Sequence, residues 1–128
     1  MIYLLDTQLL VWATVATHRL SVSAREVLVD AEVELAFSAV SIWEVAIKTS
    51  LGKADFDVDP GALLLHLRSV GYIELHVRPE HALPLVAMPL LHKDPFDRLI
   101  LAQAMAEGMT LLTADHAIAR YPGPVRLV

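Results

Sequence analysis

Four acidic side chains of this chain, Asp6, Glu44, Asp97 and Asp115, fall where a predicted strand or loop gives way to a helix. Carboxylates are hard oxygen ligands, and several gathered in one place form the donor set that Mg²⁺ and Mn²⁺ take. A simpler chemistry is open at each position. Ser41-Ile42-Trp43-Glu44 matches the S-x-x-E capping box. Asp94-Pro95-Phe96-Asp97 matches an N-cap, a proline at the first helical position and an acid at the third. Glu44 and Lys48 are spaced to pair along a helix face. Energetics separate the two readings only if the acids converge. A cap contributes ~1 kcal/mol, whereas two carboxylates ~5 Å apart repel by about 3 kcal/mol at an effective dielectric of 20. Several such pairs would outweigh the caps unless protons or a cation relieved them.

The elements that would have to bring the acids together can be read along the chain. Residues 2–5 (IYLL) form a short apolar strand running into Asp6-Thr7 and a helix, TQLLVWATV. Ser23 opens a second helix, SAREVLVDAE; VELAF is a strand; SAVSIWEVAIKTSLGK is a turn and a helix stopped by Gly52, with Glu44 in its first turn. DFDVDPG, residues 55–61, has loop composition, ALLLHLRSVG is helical and YIELHV is a strand. PEHALPLVAMPLL gives short helical turns interrupted by Pro84 and Pro89. DPFDRLILAQAMAEG is a helix closed by Gly108, MTLLT a strand, ADHAIARY a short helix and PVRLV a last strand. Alternating strands and helices predict an α/β fold, a three-layer sandwich around a mostly parallel central sheet, in one domain spanning residues 1–128. In such sheets ligands sit beyond the carboxyl ends of the strands, which is where these acids fall.

Composition narrows the classes. Hydrophobic residues make up 55% of the sequence and the mean hydropathy is +0.52, which implies a well-filled core or a surface that a partner covers. No apolar run reaches the ~20 residues of a membrane span, and Asp6 interrupts the amino terminus where a secretory signal would need a basic and then apolar stretch. The absence of cysteine excludes disulfides and thiolate zinc sites and fits a reducing cytoplasm. A net charge of −5 argues against gripping nucleic acid by its general field, although acids gathered around cations inflate the formal negative charge. Among the six histidines, His76 and His81 lack a third ligand at zinc spacing, and His92 and His116 lie beside the acids, within reach of a substrate. Trp12 and Trp43 sit in apolar helices and read as packing residues.

Four segments, LLDTQLLVW, FSAVSIWEVAIKTSLGK, HKDPFDRLILAQA and GMTLLTAD, stand in an order that resembles the PIN domain, in particular the VapC-type toxins of prokaryotic toxin–antitoxin pairs. The resemblance covers almost the whole length. It implies a metal-dependent endoribonuclease toxin in which Asp6, Glu44, Asp97 and Asp115 form a Mg²⁺ (or Mn²⁺) site. On the same likeness Asp94 caps or orients beside the set, and Thr7 and Thr113 support it with hydroxyls. One departure lies at Gln8, where relatives often carry Asn or His after Asp-Thr. The chemistry implied is in-line phosphodiester hydrolysis by metal-activated water, with Lys48 and Arg98 as candidate contacts to RNA phosphates and Lys53 and Lys93 as solvated charges. The partners implied are an RNA substrate, a cognate antitoxin that blocks the site and a second copy in a homodimer. The alternative is a PIN-like module that binds RNA or protein without cutting. A haloacid-dehalogenase phosphatase would need an acid where Gln8 stands, and a dinucleotide-binding domain would need a G-x-G-x-x-G that is absent.

Overall fold

A computed structural model describes residues 1–54 and 57–128. Five strands, β1 (Ile2–Leu5), β2 (Glu34–Ser38), β3 (Ile73–Leu75), β4 (Thr110–Thr113) and β5 (Val125–Leu127), form one sheet in the order β3-β2-β1-β4-β5. Every pairing is parallel, with Leu4 opposite Ala36 on one side and Leu111 on the other. The helices are α1 (Thr7–Val15), α2 (Val22–Val29), α3 (Ala39–Ser50), α4 (Pro60–Ser69), α5 (Pro95–Glu107) and α6 (His116–Ala119), with 3₁₀ turns at Thr17–Arg19 and Pro79–Val86. None of the described helices is long and apolar enough to cross a membrane.

The strands are apolar on both faces because helices cover both. Successive side chains alternate between the faces. Tyr3, Leu5, Phe37 and Leu112 pack into one core with Leu9, Leu10, Val45, Leu63 and Leu67. Leu4, Ala36 and Leu111 pack into the other with Ile100, Leu101, Ala104 and Ile118. The three-layer sandwich expected from the sequence is therefore the observed one. Its strand order reverses direction at β1: the chain winds outward through β2 and β3, then crosses back through α5 to β4. A crevice opens beyond the strand ends at such a reversal.

Several boundaries differ from the sequence reading. The second helix begins at Val22, capped by Ser21, whose Oγ accepts from the Ala24 amide at 3.0 Å; a serine two residues earlier competes successfully for the cap. The third strand shrinks to Ile73–Leu75, because only three residues pair with β2. Of the expected 55–61 loop, residues 55 and 56 lie outside the described residues, and Pro60 and Gly61 open α4 behind an Asp59 cap. Proline at the first helical position suits a helix start, since its missing N–H would have no partner there. Trp43, expected to pack inside, is 57% exposed and meets Phe96 edge-on at 5.0 Å between ring centroids.

Candidate metal centre

The reversal places the ends of β1 and β4 side by side. Asp6 directly follows β1, and Thr113 ends β4. Thr113 Oγ1 donates to Asp6 Oδ2, while Asp6 Oδ1 accepts from the Leu9 amide at 2.8 Å and so caps α1. Asp115 caps α6 through Oδ1, 2.8 Å from the Ala117 amide. Both acids thus cap helices; Asp6 has a protein donor on each oxygen, and Asp115 leaves Oδ2 on the His92 side, 3.7 Å from Nε2.

Glu44 and Asp97 behave differently. The cap of α3 is Ser38, whose Oγ accepts from the Val40 amide at 3.0 Å. Ser41 lies inside the helix and its Oγ accepts from Thr7 Oγ1 at 2.9 Å. The S-x-x-E capping box is therefore not formed, and Glu44 stands in the second turn of α3, not the first. Without a cap role its carboxylate is still buried, at 3% exposure. Lys48 bonds Oε2, and Oε1 has no hydrogen-bond partner among the described residues. A buried carboxylate oxygen without a donor is costly. Asp97 does occupy the third position of α5, behind the Asp94 cap, whose Oδ1 accepts from Phe96 at 2.8 Å and from Asp97 at 3.3 Å. Its own carboxylate turns away from the helix end to His92 Nε2, 2.8 Å from Oδ2.

His92, Asp97 and Asp115 each offer a ligand atom, all within 4.8 Å of one another, and His92 Nε2 also lies 3.7 Å from Asp115 Oδ2. The remaining acids are close enough to act on each other's protons. Burial is the main force raising the Asp6 carboxyl to about 6; the charges of Asp115 and Glu44 push the same way, against the Thr113 and Leu9 bonds. Burial likewise raises Asp97 to about 7, helped by Asp94, Asp6 and Glu44 and opposed by His92. For Lys48, burial works against the charge, but the Glu44 bond and the charges of Glu44, Asp94 and Asp97 outweigh it, so its pKa sits above the ordinary lysine value. These four acids come from four separate parts of the chain and share one field.

The donor set fits a divalent cation. Its carboxylate oxygens are the ligands that Mg²⁺ and Mn²⁺ prefer, with the His92 imidazole beside them, and it includes an orphaned buried oxygen on Glu44. Residues 3–124 match the family model described as PIN domain. The chain belongs to the PIN domain family. It is 33% identical over 129 residues to Ribonuclease VapC22 of Mycobacterium tuberculosis, an alignment covering 95% of each chain. Among solved structures it is similar to VapBC2 from Rickettsia felis bound to a DNA fragment from their promoter, with a TM-score of 0.72 at 20% identity over 100% of this chain and 99% of that one. A toxin–antitoxin complex from Klebsiella pneumoniae gives a TM-score of 0.65 at 18% identity, covering 97% and 95% of the two chains. At those identities the two structures speak to the fold.

In this PIN domain the other residues picked from the sequence divide. Thr113 and Asp94 touch the acids. Thr7 reaches α3 through Ser41, so it ties the start of α1 to the helix that carries Glu44. Lys48 lies in the cluster, with its side chain 45% exposed. Arg98 turns back along the chain, Nη2 donating to the Met88 carbonyl at 3.2 Å. His116 begins α6 next to the Asp115 cap. The position of His92 between two acids was only partly legible: its one sequence signal is a place five residues before Asp97, outside the helix. Gln103 gives no sequence signal beyond being polar in an apolar helix. It is fully buried, its Oε1 accepting from Ser38 Oγ at 2.5 Å and its Nε2 3.3 Å from His81 Nδ1. It therefore links α5 to the cap of α3.

Proposed function

We propose that this chain is a metal-dependent endoribonuclease toxin that hydrolyses RNA phosphodiester bonds and is neutralised by a cognate antitoxin. The observation that carries the reading is the convergence of Asp6, Glu44, Asp97 and Asp115 on one crevice, two of them with raised proton affinity and one with an unpartnered buried oxygen. The ribonuclease named among its relatives, similar over nearly its full length, supports the same reaction. A divalent ion, when bound, would polarise the scissile phosphate and lower the pKa of an attacking water.

The protein's own groups supply the rest. Asp6, Glu44, Asp97 and Asp115 would hold Mg²⁺ or Mn²⁺. Thr113 fixes the rotamer of Asp6, and Asp94 starts the helix whose buried residues make Asp97 rigid. His92 Nε2 lies between Asp97 Oδ2 at 2.8 Å and Asp115 Oδ2 at 3.7 Å, where it would orient the Asp97 carboxylate. Lys48 is the proposed phosphate contact, since its ammonium is partly exposed at the edge of the acids. Arg98 is a second candidate, limited to the donors that Met88 does not take. With no thiol in the chain and no Ser–His hydrogen bond among the described residues, water is the favoured nucleophile.

An antitoxin is proposed because relatives of this fold are solved as toxin–antitoxin complexes. Val29 of α2, 81% exposed, lines a cleft with Ala13, Leu20 and Leu28, a surface suited to an amphipathic helix. A homodimer and a cytoplasmic location remain part of the proposal. The decisive experiment measures cleavage of a mixed RNA pool with Mg²⁺ or Mn²⁺ by the parent and by Asp97→Asn. The parent is expected to cut and the variant to lose cutting while keeping its circular dichroism spectrum. A variant that cuts at the parent rate removes Asp97 from the site. A parent that binds RNA with metal yet never cuts is a binding module.

A further inference from the structure

A second cleft adjoins the acids, and nothing in the hydrolysis requires it. Its volume is about 100 Å³, and it lies between α1 and α3, with Ala54 and Val58 also in its lining. Helix α1 contributes Gln8, Val11 and Trp12, which share one helix face at spacings of three and four. Helix α3 contributes Glu44, Val45 and Lys48. Glu44 and Lys48 therefore belong to the acid cluster and to the cleft wall at once, so the cleft adjoins the acids.

We infer that this cleft reads one unpaired nucleobase of the RNA beside the scissile phosphate, stacked on Trp12 and hydrogen-bonded by Gln8. The inference deepens the endoribonuclease reading and rests on it. The walls are Val11, Val45 and Val58 with the partly buried indole of Trp12, a surface that suits a flat π system. The rim is polar. The Gln8 side chain is exposed and has no hydrogen-bond partner among the described residues. Its amide offers two donors and an acceptor, the groups that glutamine uses on base edges. A phosphate on Lys48 places the adjoining base at the mouth of the cleft without leaving the site. Stacking and edge contacts also suit a chain of net charge −5, which cannot rely on its general field to hold RNA. An apolar side chain of a protein partner would use the valine walls and leave Gln8 idle.

The test has two arms on the full chain. In the first, a random-sequence RNA pool is cut with Mn²⁺, and the ends are sequenced for parent, Gln8→Ala and Trp12→Leu. The parent is expected to favour one base at one position flanking the cut, and Gln8→Ala to lower that preference at least about fivefold. Gln8→Ala is a surface change, so it stays informative if Trp12→Leu fails to fold. In the second arm, Asp97→Asn is combined with Trp43→Phe, leaving Trp12 the sole tryptophan of the two in the chain. A short single-stranded oligoribonucleotide is expected to quench its fluorescence, and the same strand with abasic residues to leave it unchanged. Cutting with an identical end profile in the parent and Gln8→Ala overturns the base-reading cleft and leaves the nuclease standing. If the parent does not cut, the nuclease reading fails, and the second arm decides the cleft alone: equal quenching by the abasic strand, or none by either, overturns it. Variants that change only the capture of a protein partner assign the cleft to that partner instead.

Discussion

Thr113 Oγ1 and Asp6 Oδ2 are hydrogen-bonded across a separation of 107 residues. The bond joins the ends of two adjacent parallel strands, and it holds one carboxylate of the crevice in its ionised geometry against the pull of burial. A hydrogen bond to a charged group contributes roughly 1.5–3 kcal/mol. Thr113→Val keeps the side-chain shape and removes the donor. We expect Mn²⁺ affinity, measured by calorimetry, to fall about tenfold, with RNA cleavage falling alongside it. An unchanged affinity would show that Asp6 needs no such support.

The raised proton affinities of Asp6 and Asp97 make stability depend on pH and metal together. Their folded values, about 6 and about 7, lie above the ordinary 3.8, so the metal-free folded state binds protons more tightly than the unfolded chain. For a carboxyl shifted this way, stability is greatest below pH ~4 and is lost as pH rises through the folded values. Urea midpoints in EDTA should therefore include a loss between pH 5 and 8 that Asp97→Asn reduces. At pH 8 that variant should be more stable than the metal-free parent by ~3 kcal/mol. Mn²⁺ should stabilise the parent at pH 8 far more than at pH 5. A parent and variant with parallel pH profiles would contradict the assignment.

Lys48 neutralises the charge that a metal would otherwise meet. It occupies Oε2 of Glu44 and answers the fields of Asp94 and Asp97. Lys48→Met removes that competing cation. Divalent-ion affinity should rise several-fold, consistent with about 3 kcal/mol for charges ~5 Å apart reduced by partial solvent exposure. RNA cleavage should fall, because the phosphate contact is lost. Titration and single-turnover rates that move in the same direction would refute the dual role.

Gln103 bridges Ser38, the cap of α3, and His81, which in turn pairs with Glu107 at 2.7 Å. Ser38 is fully buried, so Gln103→Leu leaves its hydroxyl without an acceptor, while His81 keeps its bonds to the Arg78 amide and Glu107. Destabilisation of about 2–3 kcal/mol is expected, read as a lower urea midpoint. Metal affinity should weaken as well, since the start of α3 sets the position of Glu44. A fully stable variant would mean that water replaces the amide.

The sequence by itself determined the order of elements, the apolar strands that make both faces of the sheet buried, and the cap at Asp94. Those follow from local physics: alternation, proline and glycine positions, and short side chains that bond nearby amides. It also carried enough motif pattern to point to the PIN domain and its four acids. Helix ends were less legible where two residues compete, as Ser21 and Ser23 do, because both serines meet the local cap preference. The Ser41–Glu44 pair shows the same limit more sharply, since Ser38 at the strand end took the cap and left Glu44 buried in the second turn. Only the tertiary structure decided that the acids share one field, that His92 lies between two of them, and that Glu44 and Lys48 also wall a cleft with Gln8 and Trp12. Strand order and the crossover through α5 bring those groups together. Such distances arise from packing between remote segments and have no local signature in the chain.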